Sequence, residues 1–228
     1  MGVDGVGPAG HDLGRLLPGP GPDAEAAADM KLYHSPTSPY ARKVRVVAIE
    51  KGLADRIELV AASPWPDPAA VAVVNPLGKV PALVTDDGIA LYDSPVICEY
   101  LDVLVPAAPL IPRSGVGRWQ VLRCQALCDG ILDAAVGKVL ERRRPAGERA
   151  ASAEQRAVDA IRRSVAALGA ELRPASAGFD LGQISIAVAL GYLEFRLGDL
   201  ELGVGQAAIR DWWAVARERP SLVATRPT

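Results

Sequence analysis

Two Ser-Pro pairs carry the first chemical possibility in this chain: Ser38-Pro39 in "TSPYARKVR" and Ser94-Pro95 in "DSPVICEYLD". Serine is a preferred helix N-cap, because its hydroxyl accepts from a backbone N–H left unpaired in the first turn. Proline suits the first helical position, because the N–H it lacks would have had no partner there. Each pair alone reads as good capping. Together they read as two helix starts that can share one rim of a sheet. Each offers unpaired amides and the positive end of a helix dipole, and so can hold an anion. A ligand with a thiolate at one end and a carboxylate at the other suits such a rim. "KVPAL" adds a third part. Pro81 in an otherwise good strand implies either an edge strand or a cis bond before the proline. Either leaves the Val80 backbone able to pair with an extended peptide.

The pattern around these residues alternates by element. A strand at "KLYHS", starting from Met30, precedes a helix from Pro39 to Lys51 that stops at Gly52, with Ala41, Val44 and Ala48 at helical spacing. "RIELVAA" reads as a strand with Ile57, Leu59 and Ala61 on one face. A Pro-broken connection follows, then "KVPALVT" and "IALY" flanking "DDG" as a β-hairpin, then a helix from Pro95 to about Leu104. The order β-α-β, link, β-β-α predicts a parallel pair joined by a right-handed crossover, followed by an antiparallel hairpin.

After the Pro-rich linker 105–116 every signal is helical. Residues 117–143 read as one long helix. In 153–173 a stripe runs through Val158, Ile161, Val165, Leu168 and Leu172. Asp180 and Gln183 form a capping-box pattern before Ile184–Leu197, which is apolar on nearly all sides and so is expected at the centre of its domain. Ala207–Arg219 is a last helix, stopped by Pro220. The expected division is a disordered extension at 1–29, an α/β domain at 30–104, the linker, and an all-helical domain at 117–228. The extension lacks the basic start of a signal peptide, and Pro and Gly interrupt its one Leu-rich patch.

Composition narrows the class. Half of the 228 residues are apolar and the net charge is −2, which gives no electrostatic case for nucleic acid. Cys98, Cys124 and Cys128 are odd in number and lack framework spacing, so they read as buried small residues. His11 and His34 are not placed to complete a metal site, so no metal is expected. No apolar run reaches the length of a membrane span, and a reducing cytoplasm fits this cysteine usage.

"SPYARKVR", "NPLGKVPALV", "DSPVICEYL" and "RPSLVATRP" fall in order across about residues 30–226, and together they resemble the cytosolic glutathione transferase family. The resemblance implies a thioredoxin-like domain followed by a helical one, with glutathione as co-substrate. It implies that the Val80-Pro81 backbone, with a cis proline, pairs with the cysteinyl part. Asp93 would meet the γ-glutamyl ammonium, and Ser94 with its helix start the carboxylate. Lys79 reads either as reaching the glycyl carboxylate or as a solvated loop lysine. Ser38 falls where serine-type members keep the residue that faces the glutathione sulfur. Position 38 is not Cys, so a mixed disulfide with glutathione cannot form there. Tyr33 and His34 on the first strand are rivals for Ser38; strand parity turns Tyr33 to the other face.

The chemistry required is thiolate formation. A free thiol of pKa about 8.5 is mostly protonated at neutral pH. A hydrogen bond to the anion supplies about 1.5–3 kcal/mol and a helix start about 0.3–1 kcal/mol. At about 1.4 kcal/mol per pKa unit, these lower the pKa by about one to two units. Tyr40, counted with the binding residues, joins Trp119 and Arg123 as candidates for the wall of an electrophile pocket. "LCDGILD" resembles a segment whose Asp, here Asp129, reaches across a homodimer interface to the γ-glutamyl amine. Asp180-Leu-Gly-Gln183 departs from the family's usual Ser or Thr followed by Asp. The expected activity is glutathione conjugation to a small electrophile. The alternatives are a non-catalytic adaptor of the same fold, or a narrower glutathione-dependent isomerase, peroxidase or dehalogenase.

Overall fold

The computed structural model describes residues 29–174, 178–200 and 206–227. The reading of 1–29 as a disordered extension therefore lies, except at Asp29, outside the described residues. Strand β1 (Met30–His34) buries Met30, Leu32 and His34, which alternate with the more exposed Lys31 and Tyr33 as strand geometry requires. Helix α1 (Pro39–Glu50) follows, and Gly52 at φ +67° ends it in the left-handed region that glycine enters without a Cβ clash. Strand β2 (Ile57–Ala61), a single helical turn α2 (Ala69–Ala72), β3 (Ala82–Val84), β4 (Ala90–Leu91) and α3 (Ser94–Leu104) complete the sheet region.

The strand order is β2-β1-β3-β4. β1 runs parallel to β2 and antiparallel to β3, and β3 pairs antiparallel with β4. Two expectations change here. β3 is internal, so the edge-strand alternative for Pro81 is excluded; the Val80-Pro81 bond is cis and the strand begins at Ala82. Leu59 shares a strand face with Ile57 but is 46% exposed, because β2 is an edge strand and past Ile57 its side chains are exposed or half-buried.

The rest of the chain is helical: α4 (Gly115–Arg143), α5 (Ala151–Leu168), α6 (Leu181–Leu197), α7 (Ala207–Ala216) and α8 (Pro220–Ala224). α6 buries 14 of its 17 residues and packs on α1, α4 and α7, the position its apolar circumference predicts. Asp180 caps it by accepting from the Gln183 N–H at 3.1 Å. The Gln183 side chain does not complete the box. It accepts from the Arg173 N–H and donates to the Glu171 carbonyl, pinning the segment that leads into α6. Leu172 packs against the core beyond the end of α5, as the stripe through that helix predicted, though outside the helix itself. The predicted last helix is two. Pro220 cannot continue α7, but its fixed φ suits the first position of α8, so it ends one helix and opens the next.

Charged side chains, buried or half-buried, tie these parts together. Lys43 on α1, fully buried, donates to both carboxylate oxygens of Asp129 on α4 at 2.6 and 2.8 Å. Arg219 donates to Glu50 at 2.9 and 3.0 Å, and Ser221 adds a bond to the same carboxylate. Burial pushes the Glu50 pKa up, but these hydrogen bonds outweigh it and hold the carboxyl below its usual range. Arg42 donates to the Leu222 carbonyl at 3.1 Å. The "RPSLVATRP" segment thus acts as a clasp on α1.

His34 is buried, and its Nδ1 has no partner among the described residues. Burial, then the Arg45 charge, lower its pKa below 6.5. A depressed folded pKa means that the unfolded chain binds the proton more readily. Stability is therefore full above about pH 6.5 and is lost as pH falls below it. Asp129, whose carboxyl burial pushes up, works in the opposite sense. Urea midpoints at about pH 7.5 and about pH 5.5 should therefore fall less, or rise, in His34→Phe relative to the unmodified chain. Parallel pH dependence in the two would show His34 to be titrating normally.

Candidate active site

A cleft of about 750 Å³ opens between the sheet region and the helices. Its near wall is the first turn of α1, the 75–81 loop and the start of α3; its far wall is α4 and α6.

Ser38 is the N-cap of α1 at φ −76°, ψ 119°. Its Oγ accepts from the Ala41 N–H at 3.2 Å, and its carbonyl accepts from the Arg42 N–H at 3.0 Å. A hydroxyl used this way as an acceptor still has its proton to give. That proton has no acceptor among the described residues, and Ser38 lines the cleft. The other Ser-Pro pair is different. Asp93, itself a favoured cap residue, takes the N-cap position of α3, which puts Ser94 at the first helical position and Pro95 at the second. The Asp93 carboxylate makes no capping bond and is exposed, while Ser94 is 1% exposed at the cleft wall. The pair therefore offers an unengaged carboxylate beside a helix start, rather than a second serine cap.

Between them the 75–81 loop is built on Asn75, a residue that the sequence reading did not single out. Its side chain donates to the Lys79 carbonyl at 2.7 Å and accepts from the Leu77 N–H at 3.0 Å. Gly78 takes φ +62° to complete the turn, and a Cβ there would meet Pro68 at 2.9 Å. The loop delivers Val80 and Pro81 to the cleft. The Val80 N–H and carbonyl enter none of the turn, loop or cap hydrogen bonds among the described residues.

Ser38, Tyr40, Lys79, Val80, Pro81, Asp93 and Ser94 all line this one cleft. Asp129 does not; both its oxygens are held by Lys43 within the chain. Trp119 and Arg123 are also elsewhere: Trp119 is 67% exposed, and Arg123 pairs with Glu171 at the surface. The cleft is met by the other end of α4, through Asp133, Val136, Gly137, Leu140 and Arg143. At about 1.5 Å rise per residue, Trp119 lies about 25 Å from Val136 along the axis. The positions 133, 136–137, 140 and 143 recur at helical spacing, so a stripe search along α4 could have found them. Tyr192 and Arg196, four apart on α6, complete the far wall. Neither Tyr33 nor His34 is among the lining residues.

The Tyr40 hydroxyl donates to Asp133. Burial, then that bond, push its pKa far above the ordinary phenol value, so Tyr40 is a fixed neutral wall and not a base. Cys98 is buried, which pushes its thiol up to about 12 and leaves it inert. Among the described residues no group of three or more His, Cys, Asp or Glu is placed to hold a metal ion, and no helix is long and apolar enough to cross a membrane.

A four-stranded mixed sheet with a cis-proline loop, followed by an all-helical region, sets the fold class. Residues 37–104 match the family described as "Glutathione S-transferase, N-terminal domain". The uncharacterised GST-like protein YibF of Escherichia coli K12 is 39% identical over 170 residues, 73% of this chain and 83% of that one. A shorter match, 39% identity over 93 residues (39% of this chain, 41% of the other), is to a stringent starvation protein A homologue of Pasteurella multocida. Among solved structures, a glutathione transferase family member from Pseudomonas fluorescens Pf-5 with bound glutathione superposes at TM-score 0.84. It is 43% identical and covers 87% of this chain and 99% of its own. This chain belongs to the glutathione S-transferase family.

Proposed function

We propose that the chain binds glutathione in the cleft, holds it as a thiolate, and conjugates it to a small electrophile. One observation carries the reading: the Ser38 hydroxyl proton is unengaged at a helix start that lines the cleft. The thiolate accepts from that hydroxyl and rests on the α1 dipole. Val80 pairs with the cysteinyl backbone across the cis-proline loop. Asp93 meets the γ-glutamyl ammonium, and Ser94 with the α3 start receives the carboxylate. Lys79 reaches the glycyl end. Two structures of the Pseudomonas relative support this, one with bound glutathione and one with bound S-(propanoic acid)-glutathione. The same reading carries a homodimer in the cytoplasm; exposed Val96 and Val103 on α3 and Val116 and Trp119 on α4 supply an apolar surface for the partner.

Titration calorimetry with glutathione tests the binding step, and turnover of 1-chloro-2,4-dinitrobenzene tests the chemistry. Asp93→Asn, which keeps the shape and removes the charge, is expected to weaken glutathione about tenfold or more. No heat with glutathione would sink the reading, whereas binding without turnover would leave a glutathione-binding adaptor.

A further inference from the structure

The far wall of the cleft carries two guanidiniums that no carboxylate of the described residues neutralises. Arg143 lies in the last turn of α4 and Arg196 in the last turn of α6, and both line the cleft. The contrast with their neighbours is informative. Arg142 pairs with Asp199, and Arg144 with Glu141 and Glu148, while Arg143 between them lines the cleft and pairs with no carboxylate among the described residues. The Arg196 guanidinium lies 4.2 Å over the Phe195 ring, and its Nε is buried without a partner among the described residues. A buried N–H left unpaired is costly.

The two cations share one wall of the cleft. Tyr192 lines the same wall, four residues before Arg196 on α6; burial pushes its hydroxyl up, and the Arg196 and then the Arg143 charge pull it back. The other charge on this wall is Asp133, which the Tyr40 hydroxyl engages. Two arginines against one aspartate leave the far wall with one net positive charge. On the near wall, Lys79 and Asp93 balance each other. A planar guanidinium fork fits a carboxylate better than a neutral group.

We infer that the second substrate is an electrophile bearing a carboxylate, held by Arg143 and Arg196 while its reactive carbon faces the sulfur. The inference rests on the glutathione reading above and adds the substrate class. For an aryl halide acid, the thiolate attacks the ring carbon that carries chlorine. The C–S bond forms, and the C–Cl bond breaks with its electron pair leaving as chloride. The carboxylate is unchanged throughout and serves only as the handle.

The test is equilibrium binding of two product conjugates of matched shape, S-(4-carboxy-2-nitrophenyl)glutathione and its carboxamide, with glutathione as a third titrant. The unmodified chain is expected to bind the carboxylate conjugate about tenfold or more tighter than the amide. Arg143→Ala, a change at an exposed position that the fold does not need, should bring that ratio below about threefold, and Arg143→Lys should restore part of it. Equal affinity for the two conjugates, with glutathione still bound, overturns the inference and leaves the glutathione reading standing. A preference that survives in Arg143→Ala combined with Arg196→Met also overturns it. If glutathione itself fails to bind, the reading beneath it falls and this inference falls with it.

Discussion

Ser38→Ala is expected to lower kcat/KM for conjugation about 10- to 100-fold at about pH 6.5, with little change in glutathione affinity. A hydrogen bond to a thiolate contributes about 1.5–3 kcal/mol, which is about one to two pKa units on the bound thiol. Without it, the thiol ionises nearer its free value, and the rate lost at low pH returns as pH rises. The same change removes the acceptor for the Ala41 N–H, so the fold should also lose about 1 kcal/mol from the α1 cap. The two effects separate by measurement: the pH profile and the ultraviolet absorbance of bound thiolate report the first, and a urea midpoint reports the second. Ser38→Thr, which keeps both donor and acceptor, should restore most of each. An unchanged pH profile in Ser38→Ala would remove Ser38 from the reaction and leave it as a cap alone.

The largest expected stability loss lies far from the cleft. Lys51, 7% exposed, donates to Asp102 at 2.8 Å and to the carbonyls of Ala108 at 3.1 Å and Ala107 at 3.4 Å. Asp102 in turn accepts from the Leu110 and Ile111 N–H groups at 2.8 and 3.0 Å. The pair thus fastens the end of α1, the last turn of α3 and the linker into the helices. Asp102→Ala would leave a buried ammonium and two unsatisfied amides, a loss of about 3–5 kcal/mol. Against a total stability of about 5–15 kcal/mol, that brings the chain close to unfolding at ordinary temperature. Asp102→Leu combined with Lys51→Met should cost less than Asp102→Ala, because no charge is then stranded. Urea midpoints check both. A loss under about 1 kcal/mol for Asp102→Ala would mean that water replaces the carboxylate at Lys51.

The parts of this protein that the sequence determined by itself are those written within a few residues. Ser38 capping α1, Gly52 ending it, the "DDG" hairpin and the all-round burial of α6 follow from capping chemistry, turn chemistry and hydrophobic period. The family resemblance also lay in contiguous motifs, each of which keeps its own local geometry. Only the tertiary structure decided what each helix face meets. It turned Trp119 and Arg123 to solvent, brought Asp133, Arg143, Tyr192 and Arg196 to the cleft, and bound Asp129 to Lys43 across 86 positions of chain. It also gave the α3 cap to Asp93 rather than to Ser94. The physical reason is reach. A cap or a turn is settled by neighbours one to four residues away. The partner of a long side chain is settled by how helices cross, and the sequence encodes that only through the sum of all the packing.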